Sequence, residues 1–87
     1  MSQNEILTQI QKEICELVAR EKKVPEDTID IETSFSELGL DSMSAVTISG
    51  ELENILHIEL DPTLLWDFPT ISSLSRHLVD ITAKART

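Results

Sequence analysis

The chain has 87 residues, 7 Lys and Arg against 16 Asp and Glu for a net charge of −9, and 40% apolar with 26% charged residues. This is the size and composition of one small globular domain and excludes a second, with an expected radius of gyration of roughly 12 Å. One Cys (Cys15) rules out an internal disulfide framework, no apolar run approaches a membrane span, and no basic-then-apolar leader opens the sequence, so a reducing cytoplasm is the expected compartment.

Two glycines, and three prolines that fall at segment edges, argue for helices joined by ordered loops. Ser2 followed by Glu5 fits a capping box, and Ile6, Leu7, Ile10, Ile14, Leu17 and Val18 then recur on one helical face, predicting a first helix over Gln3–Lys22. Val24-Pro25 ends it, because the residue before a proline is pushed out of the helical region. Residues 25–41 form a connection longer than most in compact domains, and Ile29, Ile31, Phe35, Leu38 and Leu40 equip it to contribute to the core.

Asp41 or Ser42 caps a second helix running to about Leu56, with Ala45, Ile48, Leu52, Ile55 and Leu56 on its inner face and Met43, Val46, Thr47, Gly50 and Asn54 on the opposite one. A short helical turn is predicted over residues 62–66, with Asp61 as cap and Pro62 at the first helical position. Thr70 caps the last helix, whose buried stripe is Ile71, Leu74, Leu78 and Ile81. The fold class is therefore all-α, a small bundle of three longer helices plus one short helix, folded over about residues 3–83 within a single 1–87 domain.

The charge is concentrated. All seven basic residues lie at the ends of the chain, and between Val24 and Ser75 there are eleven acids and no Lys or Arg. Such a segment keeps a small domain soluble and also steers it toward basic partners. With one Trp, two Phe and no Tyr, the chain lacks both the basic patch and the stacking platforms of a nucleic-acid binder.

Several chemistries fail on spacing. A nucleophile elbow needs Gly two before and two after its Ser, where Ser42 has Leu40 and Ser44, and no partner His is identifiable, so a hydrolase is not expected. The acidic loop over residues 27–38 puts Ile29 and Ile31 where a calcium loop needs oxygens. His57 and His77 have neither an i, i+4 partner nor a neighbouring Cys, which points to surface or helix-end positions and no metal site. Cys15 flanks the apolar stripe of the first helix, where it packs as a small hydrophobe or borders solvent.

Ser42 stands out by position, since it opens a helix directly after an acid in Leu38-Gly39-Leu40-Asp41-Ser42-Met43. Capping alone accounts for Asp-Ser at a helix start. The same place, with unpaired N–H groups and the positive end of the macrodipole, also suits a covalently held phosphate. That hexapeptide resembles the phosphopantetheine attachment motif of acyl carrier proteins and peptidyl carrier domains. Pro62-Thr63-Leu64-Leu65-Trp66-Asp67-Phe68-Pro69-Thr70-Ile71 is similar to the segment entering the last helix of carrier domains from modular polyketide and nonribosomal peptide synthases.

The resemblance covers about residues 6–79. It implies a non-catalytic carrier that bears 4'-phosphopantetheine from coenzyme A on Ser42, with Leu40, Asp41 and Met43 around the attachment point. The group would hold acyl intermediates as thioesters for polyketide or related synthesis, including fatty-acid synthesis. The implied partners are a phosphopantetheinyl transferase and the acyl-transfer and condensing enzymes of a synthase, meeting a monomeric carrier along its second helix. Met43, where Leu is common in the family, conserves volume. The helical wheel adds a docking face of Met43, Val46, Thr47 and Gly50 with Glu53 on its rim. The alternatives are a peptidyl carrier for aminoacyl groups and an acidic helical adaptor without a prosthetic group that uses Met43 and Val46 as a protein-binding patch.

Overall fold

A computed structural model describes residues 3–85 and gives four α-helices: α1 (Gln3–Lys22), α2 (Ser42–Leu56), α3 (Leu64–Asp67) and α4 (Ile71–Ala85), with a 3-10 turn at Glu26–Thr28. The Cα radius of gyration is 12.1 Å. This is the all-α bundle that the periodicity predicts. The Ser2 half of the expected capping box lies outside the described residues.

α1 buries Ile10, Ile14, Leu17 and Val18 of the expected stripe, together with Ala19, while Ile6 and Leu7 are half-buried, and it packs chiefly against α4 and less extensively against α2. It stops one residue before the Val24-Pro25 step. Lys23 adopts a left-handed conformation (φ 58°), its N–H donates to Arg20 O at 3.3 Å, and Val24 N–H donates to Ala19 O at 3.0 Å. That pair of bonds is the Schellman ending, here built on a lysine where glycine is usual.

The long loop is part of the core. Phe35 is fully buried and Leu40 nearly so, while Ile29, Ile31 and Leu38 pack half-buried against them; burying a side chain like Phe35 is worth about 1.5–3 kcal/mol. Its backbone is also bonded to the start of α4. Phe35 N–H donates to Pro69 O at 2.7 Å beside an isolated antiparallel bridge between Ser34 and Thr70, and Ser72 N–H donates to Ile31 O at 3.0 Å. The Ser72 bond satisfies one of the N–H groups that a helix start leaves without an intrahelical partner.

α2 buries Ala45, Ile48, Ser49 and Leu52. Ile55, expected on the inner face, is instead 40% exposed. It sits at the edge of a groove between α1 and α2, beside the long polar side chains of Gln9, Lys12 and Arg20. Ser49, not among the residues expected inside, is buried, and its hydroxyl is satisfied by donating to Val46 O at 3.1 Å. α2 ends at His57 in a left-handed conformation (φ 57°), its N–H donating to Glu53 O at 2.8 Å.

The short helix begins two residues later than predicted. Asp61 Oδ1 accepts from both Thr63 N–H and Thr63 Oγ1 at 2.9 Å, and the Leu64 and Leu65 N–H groups reach back only three residues, to Asp61 O and Pro62 O. Pro62 is therefore held in an Asx turn that precedes the helix. α4 starts as expected, with Thr70 Oγ1 accepting from Ser73 N–H at 3.1 Å while Ser73 Oγ accepts from Thr70 N–H at 3.1 Å, a capping box with serine in the third position. Its buried residues are Ile71, Leu74 and Leu78 with Ser72, Ser75 and Val79; Ile81 is half-buried.

Candidate functional site

The loop delivers the chain to α2 through two fixed points. Gly39 has φ +87°, a left-handed conformation that disfavours a side chain, and a Cβ placed on it would lie 2.9 Å from Lys22 Nζ. Leu40 follows, 5% exposed, pinned in the core and bonded through its N–H to Phe35 O at 3.0 Å. With Leu40 buried, Asp41, Ser42 and Met43 emerge into solvent as one exposed run.

Asp41 is the cap. Its backbone is extended (φ −110°, ψ −173°), Oδ1 accepts from Ser44 N–H at 2.9 Å, and its carbonyl receives Ala45 N–H at 2.9 Å to begin the helical ladder. The Ser44 N–H holds the Asp41 carboxyl below its ordinary pKa, so the cap is a carboxylate at neutral pH. Ser42 is thereby released from capping. It occupies the first position of α2, exposed, and its hydroxyl has no hydrogen-bond partner among the described residues. An exposed hydroxyl at the positive end of a 15-residue helix can carry an ester-linked anion without breaking any internal bond.

The remaining expected residues divide. Met43 and Val46 are 73% and 52% exposed, one turn apart. Thr47 is exposed beside them, its hydroxyl donating back to Met43 O at 3.1 Å, and Gly50 is half-buried with open space where a Cβ would point. Glu53 behaves differently from a free rim charge. It is half-buried, and its Oε2 accepts from Leu60 N–H at 3.0 Å, organising the turn after α2.

Two residues near Ser42 escape sequence reasoning. Lys22 Nζ donates to Gly39 O at 3.3 Å, and Glu21 Oε1 accepts from Ser44 Oγ at 3.3 Å. Both come from the end of α1, 17 and 23 residues from their partners, so no local pattern announces them. Trp66, 43% exposed on α3, is a further surface apolar group.

Other chemistry is not assembled. Among the described residues no group of three His, Cys, Asp or Glu could hold a metal ion, and no helix is long and apolar enough to cross a membrane. His57 is the left-handed residue ending α2, while His77 stacks on Phe68 with ring centroids 4.1 Å apart. Cys15 is half-buried, its thiol pushed up in pKa by burial and then by the charges of Glu26 and Glu16.

The profile of the phosphopantetheine attachment site family matches residues 12–78, which contain this entire arrangement. The chain belongs to that family. It is a carrier domain, and its prosthetic group is covalently attached 4'-phosphopantetheine. Among its relatives, a phenolphthiocerol/phthiocerol polyketide synthase chain of Mycobacterium tuberculosis is 36% identical over 78 residues, covering 90% of this chain and 4% of that protein. The polyketide synthase PksM of Bacillus subtilis is 40% identical over 65 residues, covering 75% of this chain and 2% of that protein. The carrier domain thus spans only a few per cent of the length of these synthases. A free-standing peptidyl carrier protein from a secondary metabolic pathway of Acinetobacter baumannii is similar in structure, with a TM-score of 0.84 and 44% identity over 86% of this chain and 94% of that one.

Proposed function

We propose that Ser42 is the attachment point of the phosphopantetheine group and that the domain, without catalysis of its own, carries acyl intermediates between the enzymes of a polyketide or related pathway. The observation that carries this is the division of labour at the start of α2: Asp41 supplies the cap, leaving the Ser42 hydroxyl exposed and unpartnered within the matching motif. When bound, the group supplies a terminal thiol on a flexible arm that holds an acyl chain as a thioester, activating its carbonyl and its α-carbon. The protein's part is to hold and present. The α2 N-terminus stabilises the phosphodiester charge, Leu40 anchors the approach to Ser42, and tethering replaces diffusional encounter by a high effective concentration.

A phosphopantetheinyl transferase acts first in this reading, and acyl-transfer and condensing enzymes dock afterwards. Their contact surface is Met43, Val46, Thr47 and Gly50, an apolar patch framed by polar residues, and the acidic middle of the chain steers basic partners toward it. Glu53 takes a smaller part than the helical wheel assigns, since its carboxylate is engaged with Leu60. The domain acts as a monomer, with residues 1–87 forming one unit, in the cytoplasm where coenzyme A is supplied and a lone thiol stays reduced.

A second reading, an aminoacyl or peptidyl carrier, is favoured by the 44% identity to a free-standing peptidyl carrier protein. An adaptor without a prosthetic group does not fit a member of this family. Incubation with coenzyme A and a broad-specificity transferase, followed by intact mass, tests the attachment site. The wild-type chain gains one prosthetic group and Ser42→Ala gains none; modification of the alanine variant would refute the assignment. Loading the holo protein with an acyl-transfer enzyme and, separately, an adenylating enzyme then separates the two cargoes.

A further inference from the structure

The last turn of α1 reaches both sides of Ser42. Lys22 Nζ donates to the carbonyl of Gly39, three residues before the serine, and Glu21 Oε1 accepts from the hydroxyl of Ser44, two residues after it. Neighbouring residues of a helix point about 100° apart, so Glu21 and Lys22 diverge and can reach two separate places on the turn. The left-handed Lys23 closes α1 directly behind them and fixes where both side chains start.

On the far side, Ser44 joins the two systems. Its N–H donates to the Asp41 cap at 2.9 Å while its hydroxyl donates to Glu21 at 3.3 Å. Gly39 is suited to its end of the clasp for a second reason besides its positive φ, since a Cβ would lie 2.9 Å from Lys22 Nζ. None of these contacts involves the Ser42 hydroxyl itself, and Glu21, Lys22 and Gly39 are all at least partly open to solvent.

Taking Ser42 as the modified residue, as argued above, we infer that Glu21 and Lys22 are positioning residues for its modification, a two-point clasp from α1 that holds residues 39–44 in the conformation the transferase recognises. A substrate whose competent conformation is only partly populated binds with an apparent affinity reduced by that fraction. Loosening the clasp therefore raises KM and leaves kcat alone. Each bond is exposed and long, so the effect is modest, about threefold in KM for loss of one.

Charge separates this from simple steering. Lys22→Met makes a chain of net charge −9 more acidic, which would speed encounter with a basic transferase. The clasp predicts the opposite sign.

The test measures transferase kinetics with coenzyme A on the full chain as wild type, Lys22→Met, Lys22→Arg, Ser44→Ala and Ser42→Ala, with amide hydrogen exchange on each protein alone. Lys22→Met and Ser44→Ala, the second of which removes the donor to Glu21 without changing net charge or the Asp41 cap, are expected to raise KM about threefold at unchanged kcat. The same two variants should exchange faster at residues 39–44, with melting temperatures close to wild type. Lys22→Arg, which keeps a long cationic donor, should recover most of the wild-type KM. Wild-type KM and wild-type exchange in Lys22→Met, alongside an unmodified Ser42→Ala, would overturn the clasp alone. Modification of Ser42→Ala would overturn the attachment site and the clasp with it.

Discussion

The two faces of α2 carry apolar residues for opposite ends. On the inner face Ala45, Ile48 and Leu52 are each 1% exposed, packed with Phe35, Ile14 and the α4 stripe; on the outer face Met43 and Val46 are 73% and 52% exposed. Composition does not distinguish them, since Val and Met are as apolar as what lies beneath. Phase along the helix does, and the phase is set by Leu40 and Asp41. Burying the first and capping with the second fixes which residues of the next turn face water.

The largest expected effects lie on the inner side. Phe35→Ala removes the ring at the centre of the loop's contribution and should cost about 3–5 kcal/mol. Because Phe35 N–H also bonds Pro69 O at 2.7 Å, hydrogen exchange at the start of α4 should rise together with the loss of stability in a denaturant titration. Leu52→Ala should cost about 2–5 kcal/mol through its cavity. Val46→Ala should change stability by less than about 0.5 kcal/mol while slowing prosthetic-group or acyl transfer. A thermal melt beside a transfer assay on the Leu52 and Val46 variants breaks the comparison if their stability losses are equal.

The two faces owe their rotational register to the Asp41 cap, and Asp41→Ala should lower the melting temperature by less than Leu52→Ala does. The pH dependence has a definite sign. The Asp41 carboxyl has a lowered pKa in the folded state, so its contribution is full above the unfolded value of about 3.9. It is lost as pH falls through the lower folded value. The Ser44 amide resonance should follow that acidic titration and stay flat near neutrality.

Smaller again is the effect of salt on the outer face. Steering by the acidic middle of the chain is screened beyond about 8 Å at physiological ionic strength, so the modification rate should fall as salt rises. A rate that is flat in salt would leave the charge with solubility alone.

What is legible in the sequence is what short-range physics writes into it. Helical period locates α1, α2 and α4, and the motif from Leu38 to Met43, where Asp-Ser alone would read as a cap, marks the proposed site. Ile55 departs from its expected place because a helical wheel gives phase but not the partner's outline, and at that position α1 offers Gln9, Lys12 and Arg20. Glu53 reads as a free rim charge because its use depends on the chain turning back at His57 to bring Leu60 N–H within 3.0 Å. The left-handed endings at Lys23 and His57 carry no glycine to announce them. Lys22 and Glu21 act only through tertiary contact, beyond the reach of any pattern along the chain.

In the proposed function Ser42 alone, among several hydroxyls in one short stretch, is presented for modification. Cleavage after Glu37 and Glu51 releases residues 38–51, a peptide holding Ser42, Ser44, Thr47 and Ser49. Fragment-ion mapping of that peptide from the modified protein decides among them. Ser44, Thr47 and Ser49 already donate to Glu21, Met43 O and Val46 O, so the account predicts the phosphopantetheine group wholly on Ser42. The group on any of the other three would contradict it.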